Sequence, residues 1–370
     1  MVFSVRNFPS HHHSQSKKTL SKEFIANVTA MTQSSISRVT GISPRQFYAE
    51  YIEQQQPVIL TDAARDWTAL EFWSFAYLKS TLQHHPAIVG GPKLKWQGHS
   101  LTVGEYIDLA TADSPPSDLP YLRAASIPVF YPELVADLQP LLRHSQPNRM
   151  SAALLPRQMF GHPDGKIGYP ELFIGAPGRG TPLLHYDVGL EHAFITQVIG
   201  DKEFFIFAPD QTPYLYPNDL QPNQSNLTEL LEPDLARFPL FARAQMERVV
   251  VRAGETLFIP SGWWHMSYLL TPSVSISMNA VSAVNWKSFC NYRLGRFLVR
   301  CGVSSYSFIW ASLTKYCPHN PAIAEPNRKA LGFGLLNGSG GGKWHKVQNG
   351  FRADLDFSFC QRSRRTSPEC

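Results

Sequence analysis

From Glu171 to Val281 the chain is written in a period of two. ELFIGA, TPLLHYD, AFITQVI, KEFFIFAP, RVVVRAGETLFIP, HMSYLL and SVSISMNAV are short apolar or alternating segments parted by Gly, Pro or Asp. That period sends successive side chains to opposite faces of a strand, and strands this short are stable only when several share a core. The seven segments, packed into about 110 residues, predict a mainly β fold of barrel or jelly-roll type. Composition agrees: 29 Pro exceed 24 Gly, and charged residues make up 17% of the chain, below the roughly 25% of an ordinary globular protein. Gly200-Asp201, between AFITQVI and KEFFIFAP, predicts a two-residue hairpin.

The stretch from Thr256 to Trp286 contains no Asp, Glu, Lys or Arg, but it does contain two Pro, one His and two Asn among many Ser. Lipid would not tolerate that set, so buried strands are expected and no membrane association. The N-terminus, MVFSVRNFPSHHH, has no apolar signal core. All five Cys lie beyond residue 289 and none forms a CxxC pair. A disulfide framework or zinc ribbon is therefore not expected, and a reducing, cytoplasmic setting is, with the nucleus left open.

Upstream of the strands the period is helical. SPRQFYAEYIEQQQ predicts a helix capped by Ser43 with Pro44 in its first turn; LEFWSFAYLKSTL (70–82) and LTVGEYIDLA (101–110) predict two more. PVILTDAA (57–64) predicts a buried strand. Charge divides the chain. Residues 1–40 carry five Lys/Arg against one acid, 41–284 sixteen against twenty-four, and 285–370 thirteen against four. The expected organisation is a flexible basic extension over 1–40 and a catalytic domain over 41–284, helical over 44–165 and jelly roll from about 170. C-terminal helices over 285–337 and a flexible basic tail over 338–370 follow. Basic ends of this kind read as solvated extensions, and no nucleic-acid-binding motif accompanies them.

His185-Tyr186-Asp187 puts an imidazole and a carboxylate at i and i+2 on one strand, hence on one face. Downstream, His265 follows FIPSGWW. Two His and one carboxylate on a face of a metal form the facial triad of non-haem iron(II) oxygenases, which leaves coordination positions open. An HxD by itself is weak: thirteen His and 29 acids predict about one HxD or HxE by chance, and the chain has two. The other, His162-Pro163-Asp164 before Gly165, reads as a turn. A buried His bonded to a neighbouring Asp is the alternative for the first. Adjacent Trp263 and Trp264 should point to opposite faces, one into the core and the other at the mouth of the barrel.

Taken in order, GTPLLHYD, QVIGDKEFFIFAP, GETLFIPSGWWH and SVSISMNAV resemble the JmjC family of cupin-fold dioxygenases. The branch they are most similar to includes the asparaginyl hydroxylase of hypoxia-inducible factor. PVILTDAARDWTALEFWSFAYL resembles that branch's N-terminal helical region, and PYLRAAS (120–126) its tyrosine-bearing strand. The resemblance covers about residues 44–290. It implies a double-stranded β-helix that uses Fe(II), 2-oxoglutarate and O₂, with His185, Asp187 and His265 as metal ligands. Lys202 is implied as the cation for the distal carboxylate of 2-oxoglutarate, Tyr121 and Thr181 as hydroxyl donors to it, and Asn279 as an amide near the metal. In the family the Thr stands three residues before the first His, whereas Thr181 is four before and Pro182 takes that place. Relatives often carry Asn where this chain has His192 or Ala193; His192 is a candidate for a group behind the metal ligands or a substrate contact, and a packed or exposed structural histidine is the preferred reading.

The function that follows is hydroxylation of a carbon in a protein side chain or other substrate, with hydroxylation preferred to demethylation. The alternatives are a metal cupin that does not use 2-oxoglutarate, and a non-catalytic binding module. Lys202 discriminates the first and the triad the second. A protein or small-molecule substrate remains open, and the apolar face of the C-terminal helices is to be covered either by the barrel or by a second copy in a homodimer, as related hydroxylases pair.

Overall fold

A computed structural model describes residues 35–150, 169–227 and 229–300. The expectations for the rest of the N-terminal extension, His162-Pro163-Asp164, the C-terminal helices beyond residue 300 and the 338–370 tail lie outside these residues.

Two sheets face one another. The larger has the order β1-β2-β11-β8-β13-β6-β5 and the smaller β10-β9-β12-β7. In chain order the strands are β1 (Arg38–Val39), β2 (Val58–Leu60), the small hairpin β3 (Lys95–Trp96) and β4 (His99–Ser100), β5 (Leu122–Ser126), β6 (Glu171–Gly175), β7 (Gly180–His185), β8 (His192–Ile199), β9 (Lys202–Phe207), β10 (Glu247–Val251), β11 (Thr256–Ile259), β12 (Trp264–Leu269) and β13 (Ser273–Ala280). Chain neighbours β8 and β9, and β10 and β11, lie in opposite sheets, while β12 pairs with both β7 and β9 and β13 with both β6 and β8. This is the double-stranded β-helix the sequence predicted.

The central strands β8, β9, β11 and β13 are buried on both faces, which explains the continuous apolar runs such as FFIF. Ile195, Phe204, Ile206, Val249, Val251, Leu257 and Ile259 fill the space between the sheets. Phe194, Phe258, Val274, Ile276 and Met278 point outward onto the N-terminal helices. On the other flank, Phe205, Phe207, Trp264 and Met266 pack under the 209–246 excursion through Leu215, Leu227, Leu230, Phe238 and Phe241. Each such side chain contributes about 1.5–3 kcal/mol on burial.

The hairpin expected at Gly200-Asp201 does not form, because β8 and β9 are not paired. The turn instead carries the chain from one sheet to the other. Gly200 has φ +73°, and a Cβ there would lie 2.3 Å from the Pro272 carbonyl oxygen. Asp201 N–H donates to Thr271 Oγ1 at 2.9 Å. RVVVRAGETLFIP likewise breaks in two at Gly254 (φ +89°) to form β10 and β11.

The helices are shorter than their periodicity suggests. The first, α1 (Pro44–Phe47), passes into a π-helical turn over Tyr48–Ile52. The segment 70–82 is two helices, α2 (Ala69–Phe72) and α3 (Phe75–Leu82). They break at Ser74, whose side chain caps α3 by accepting from the Tyr77 N–H, while Trp73 Nε1 donates to Asp137 Oδ2 at 2.8 Å. Residues Val103–Ala110 form α4, opened by the Thr102/Glu105 capping box. After the short α5 (Ile127–Phe130), the last described element is α6 (Trp286–Arg300), whose Phe289 packs against Met150 and Val281. No described helix is long and apolar enough to cross a membrane.

Candidate metal centre

Between the sheets lies a cavity of about 200 Å³, whose lining includes His185, Asp187, His265, Lys202, Thr181 and Asn279. His185 ends β7 directly opposite His265 on β12, and the two rings are 4.4 Å apart. Antiparallel pairing therefore does what sequence separation hides: it brings residues 80 apart onto one inward face. Asp187 is not on the strand with His185, as the period-two reading expected, because β7 stops at His185. Tyr186 N–H then donates to the Asn223 carbonyl, and Leu190 N–H donates to the carbonyl of Asp187, so a turn supplies the carboxylate. One ligand atom from each of His185, Asp187 and His265 lies within 4.8 Å of the others.

The donors suit a divalent cation. His185 Nδ1–H donates to the Leu183 carbonyl at 2.9 Å and His265 Nδ1–H to the Trp263 carbonyl at 3.1 Å. Each bond fixes the tautomer that leaves Nε2 with a free lone pair, the outer arrangement usual for ligating histidines. Burial pulls both imidazoles down to about 4, so they are neutral at physiological pH. Burial also raises the Asp187 carboxyl, against the pull of His185 and of Asn279; a cation at the triad would favour its ionised form.

Lys202 is 3% exposed, on the inner face of β9 with Phe204. Its ammonium donates to Tyr121 Oη at 3.2 Å and lies 5.1–5.7 Å from the rings of Phe204, Phe173 and Tyr121. Among the described residues no carboxylate pairs with it, and burial pulls it down to about 7. Thr181 faces Ser267, with the two hydroxyl oxygens 3.1 Å apart, across an irregularity in the β7–β12 pairing. There the four-residue step from Thr181 to His185 faces a two-residue step from Ser267 to His265. Asn279, on the Ser275/Ser277 face of β13, donates from Nδ2 to Asp187 Oδ2 at 3.3 Å and to Glu191 Oε2 at 3.4 Å.

The sequence reading missed three carboxylates or cations that approach this cavity. Glu171 opens β6 on the same face as Phe173, and both line the cavity; strand parity alone could have found it. Burial first, then Asp187 and Glu191, push Glu171 up to about 8. Glu191 is 5% exposed and bound by Arg293 of α6 at 3.0 Å. Arg123 also lines the cavity, beside Ala124 in a left-handed bulge. His192 is fully buried outside the cavity. It accepts the Ser261 N–H at Nδ1 and bonds the Ser282 hydroxyl through Nε2, a structural role. Trp264 is core, whereas Trp263 is half-buried and donates to the Gln55 carbonyl. Trp263 is not among the residues lining the cavity.

Residues 44–289 match the family model of the cupin-like domain. HSPB1-associated protein 1 of Homo sapiens is 36% identical over 124 residues, which are 33% of this chain and 25% of that protein. Lysine-specific demethylase 8 of Danio rerio is 27% identical over 250 residues, 65% of this chain and 57% of the relative. Arginine-specific demethylase JMJ20 of Arabidopsis thaliana is 25% identical over 272 residues, 68% and 58% respectively. The chain thus spans from a quarter to under three fifths of these relatives.

Proposed function

This chain belongs to the cupin-like domain family, and from that premise we propose that it is an iron(II)- and 2-oxoglutarate-dependent oxygenase. The observation that carries the reading is a single cavity holding both a three-donor metal cradle and a buried lysine with no carboxylate partner among the described residues. Leaving an ammonium buried and unpaired costs several kcal/mol. A dicarboxylate anchored at the triad by one end and at Lys202 by the other would relieve that cost. The same feature weighs against a metal cupin that has no such co-substrate, and the convergent triad weighs against a binding module without chemistry.

Within this reading His185, Asp187 and His265 hold the iron. The bound metal supplies activation of O₂ and oxidation of a C–H bond at the expense of 2-oxoglutarate decarboxylation to succinate. Lys202 and Tyr121 orient the co-substrate, with Thr181 adding a hydroxyl and Asn279 steadying the Asp187 carboxylate. The apolar walls, Ile195 and Phe204 among them, exclude water.

The favoured reaction is hydroxylation of a carbon in a protein side chain. Demethylation is the second reading, favoured by the names of the lysine- and arginine-specific relatives. Both begin with the same oxidation, and they differ in whether the oxidised carbon is an N-methyl group that then leaves as formaldehyde. Incubating a proteome with the enzyme or with Asp187→Ala, followed by mass spectrometry, separates them. A gain of one oxygen marks hydroxylation and the loss of a methyl group marks demethylation. If neither appears, and wild type forms no more succinate than the variant, the oxygenase reading is wrong.

A further inference from the structure

Asn279 sits between two carboxylates. From one nitrogen it donates to Asp187 Oδ2 at 3.3 Å and to Glu191 Oε2 at 3.4 Å. Glu191 lines the cavity, is 5% exposed, and has its other oxygen on Arg293 Nη2 at 3.0 Å. The loop between the two acids is shaped for this placement. A Cβ on Gly189 would come within 2.5 Å of the Glu191 carboxylate, so a side chain at 189 would displace it. Helix α6 grips the same loop a second time, where Asn285, the residue preceding it, donates from Nδ2 to the Leu190 carbonyl at 2.9 Å. The Arg293 guanidinium is held over the Phe289 ring at 5.1 Å, and Phe289 is fully buried.

Resting on the reading of His185, Asp187 and His265 as a metal centre, we propose that Arg293 is a positioning residue for co-substrate binding. It neutralises Glu191, so that this buried carboxylate neither draws Asn279 from Asp187 nor repels the anion that binds beside the triad. Without the guanidinium, and with a cation at the triad favouring its ionised form against the burial that raises it, Glu191 stands as a second negative charge next to Asp187. Extra negative charge favours a cation and opposes a dianion, so metal and 2-oxoglutarate should respond in opposite directions. A mere strut between helix and barrel would affect both alike.

The test uses the full chain and Mn(II) as a redox-inert metal, with Mn(II) and 2-oxoglutarate affinities measured separately by calorimetry and apo-protein unfolding recorded in parallel. Arg293→Met should weaken 2-oxoglutarate at least about tenfold, the scale of a lost buried charge partner, while Mn(II) binds no more weakly. Removing the stranded charge as well, in the double variant Glu191→Gln/Arg293→Met, should recover most of the co-substrate affinity, and Arg293→Lys should fall between. Parallel loss of both ligands without recovery in the double variant would make Arg293 a strut and overturn the proposal, as would unchanged 2-oxoglutarate affinity in Arg293→Met. A wild type that binds neither ligand overturns the metal-centre reading itself, and this inference with it.

Discussion

Lys202 carries an amino group into the apolar space between the sheets. Its place two before Phe204 on a strand put it on the inner face, and the structure gives it 3% exposure with Tyr121 as its hydrogen-bond partner. Because burial lowers its value from 10.5 to about 7, the unliganded fold loses stability on this group's account as pH falls between those values and loses no more below. The full effect is on the order of 5 kcal/mol. Binding a carboxylate requires the protonated form, so 2-oxoglutarate should bind with proton uptake. Its affinity should fall as pH rises above about 7, approaching tenfold per pH unit. Calorimetry in buffers of different ionisation heat measures both, and pH-independent binding over about 7 to 9 would contradict the assignment. Asp187 was legible as a candidate but not in its geometry, since nothing in HYD signals that the strand ends at His185. Glu191 and Arg293 were not legible at all, because their pairing joins a loop to a helix that the sequence assigned to a separate region.

At the scale of elements, the strands were legible because apolar runs bounded by Gly and Pro leave few other foldings. Which strands pair was not. A Gly-Asp turn serves a hairpin and a crossing between sheets equally well, and the choice is made by distant partners such as Thr271 and Pro272. The helices were misjudged in length for a related reason: Trp73 and Ser74 fit the amphipathic pattern, yet the bond from Trp73 to Asp137 draws the chain out of helix there. Two glycines of positive φ separate conformational strain from collision. At Gly254 a Cβ would meet nothing within 4 Å, whereas at Gly200 it would strike the Pro272 carbonyl oxygen at 2.3 Å. Gly254→Ala should therefore cost about 1 kcal/mol, and Gly200→Ala upwards of about 3 kcal/mol, in denaturant unfolding. Equal losses would mean that the crossing turn is less constrained than its geometry indicates.

For the whole molecule, the barrel and its candidate metal site do not end where the strands do. The chain leaves β13, enters α6, and returns to the loop that follows Asp187 through Arg293 and Asn285. We propose that the working unit extends past the boundary expected near residue 284 into α6, because Arg293 and Asn285 bond to the loop that follows Asp187. Charge balance suggested that boundary, but charge records solvent exposure and not which residues touch. The measurement that bears most directly on the central claim is made on the full chain without oxygen. Adding iron(II) and then 2-oxoglutarate should produce a weak visible charge-transfer band, with Asp187→Ala giving none and Lys202→Ala giving it only at raised 2-oxoglutarate. A wild-type protein that takes up iron(II) but shows neither the band nor any heat of 2-oxoglutarate binding would contradict the oxygenase assignment.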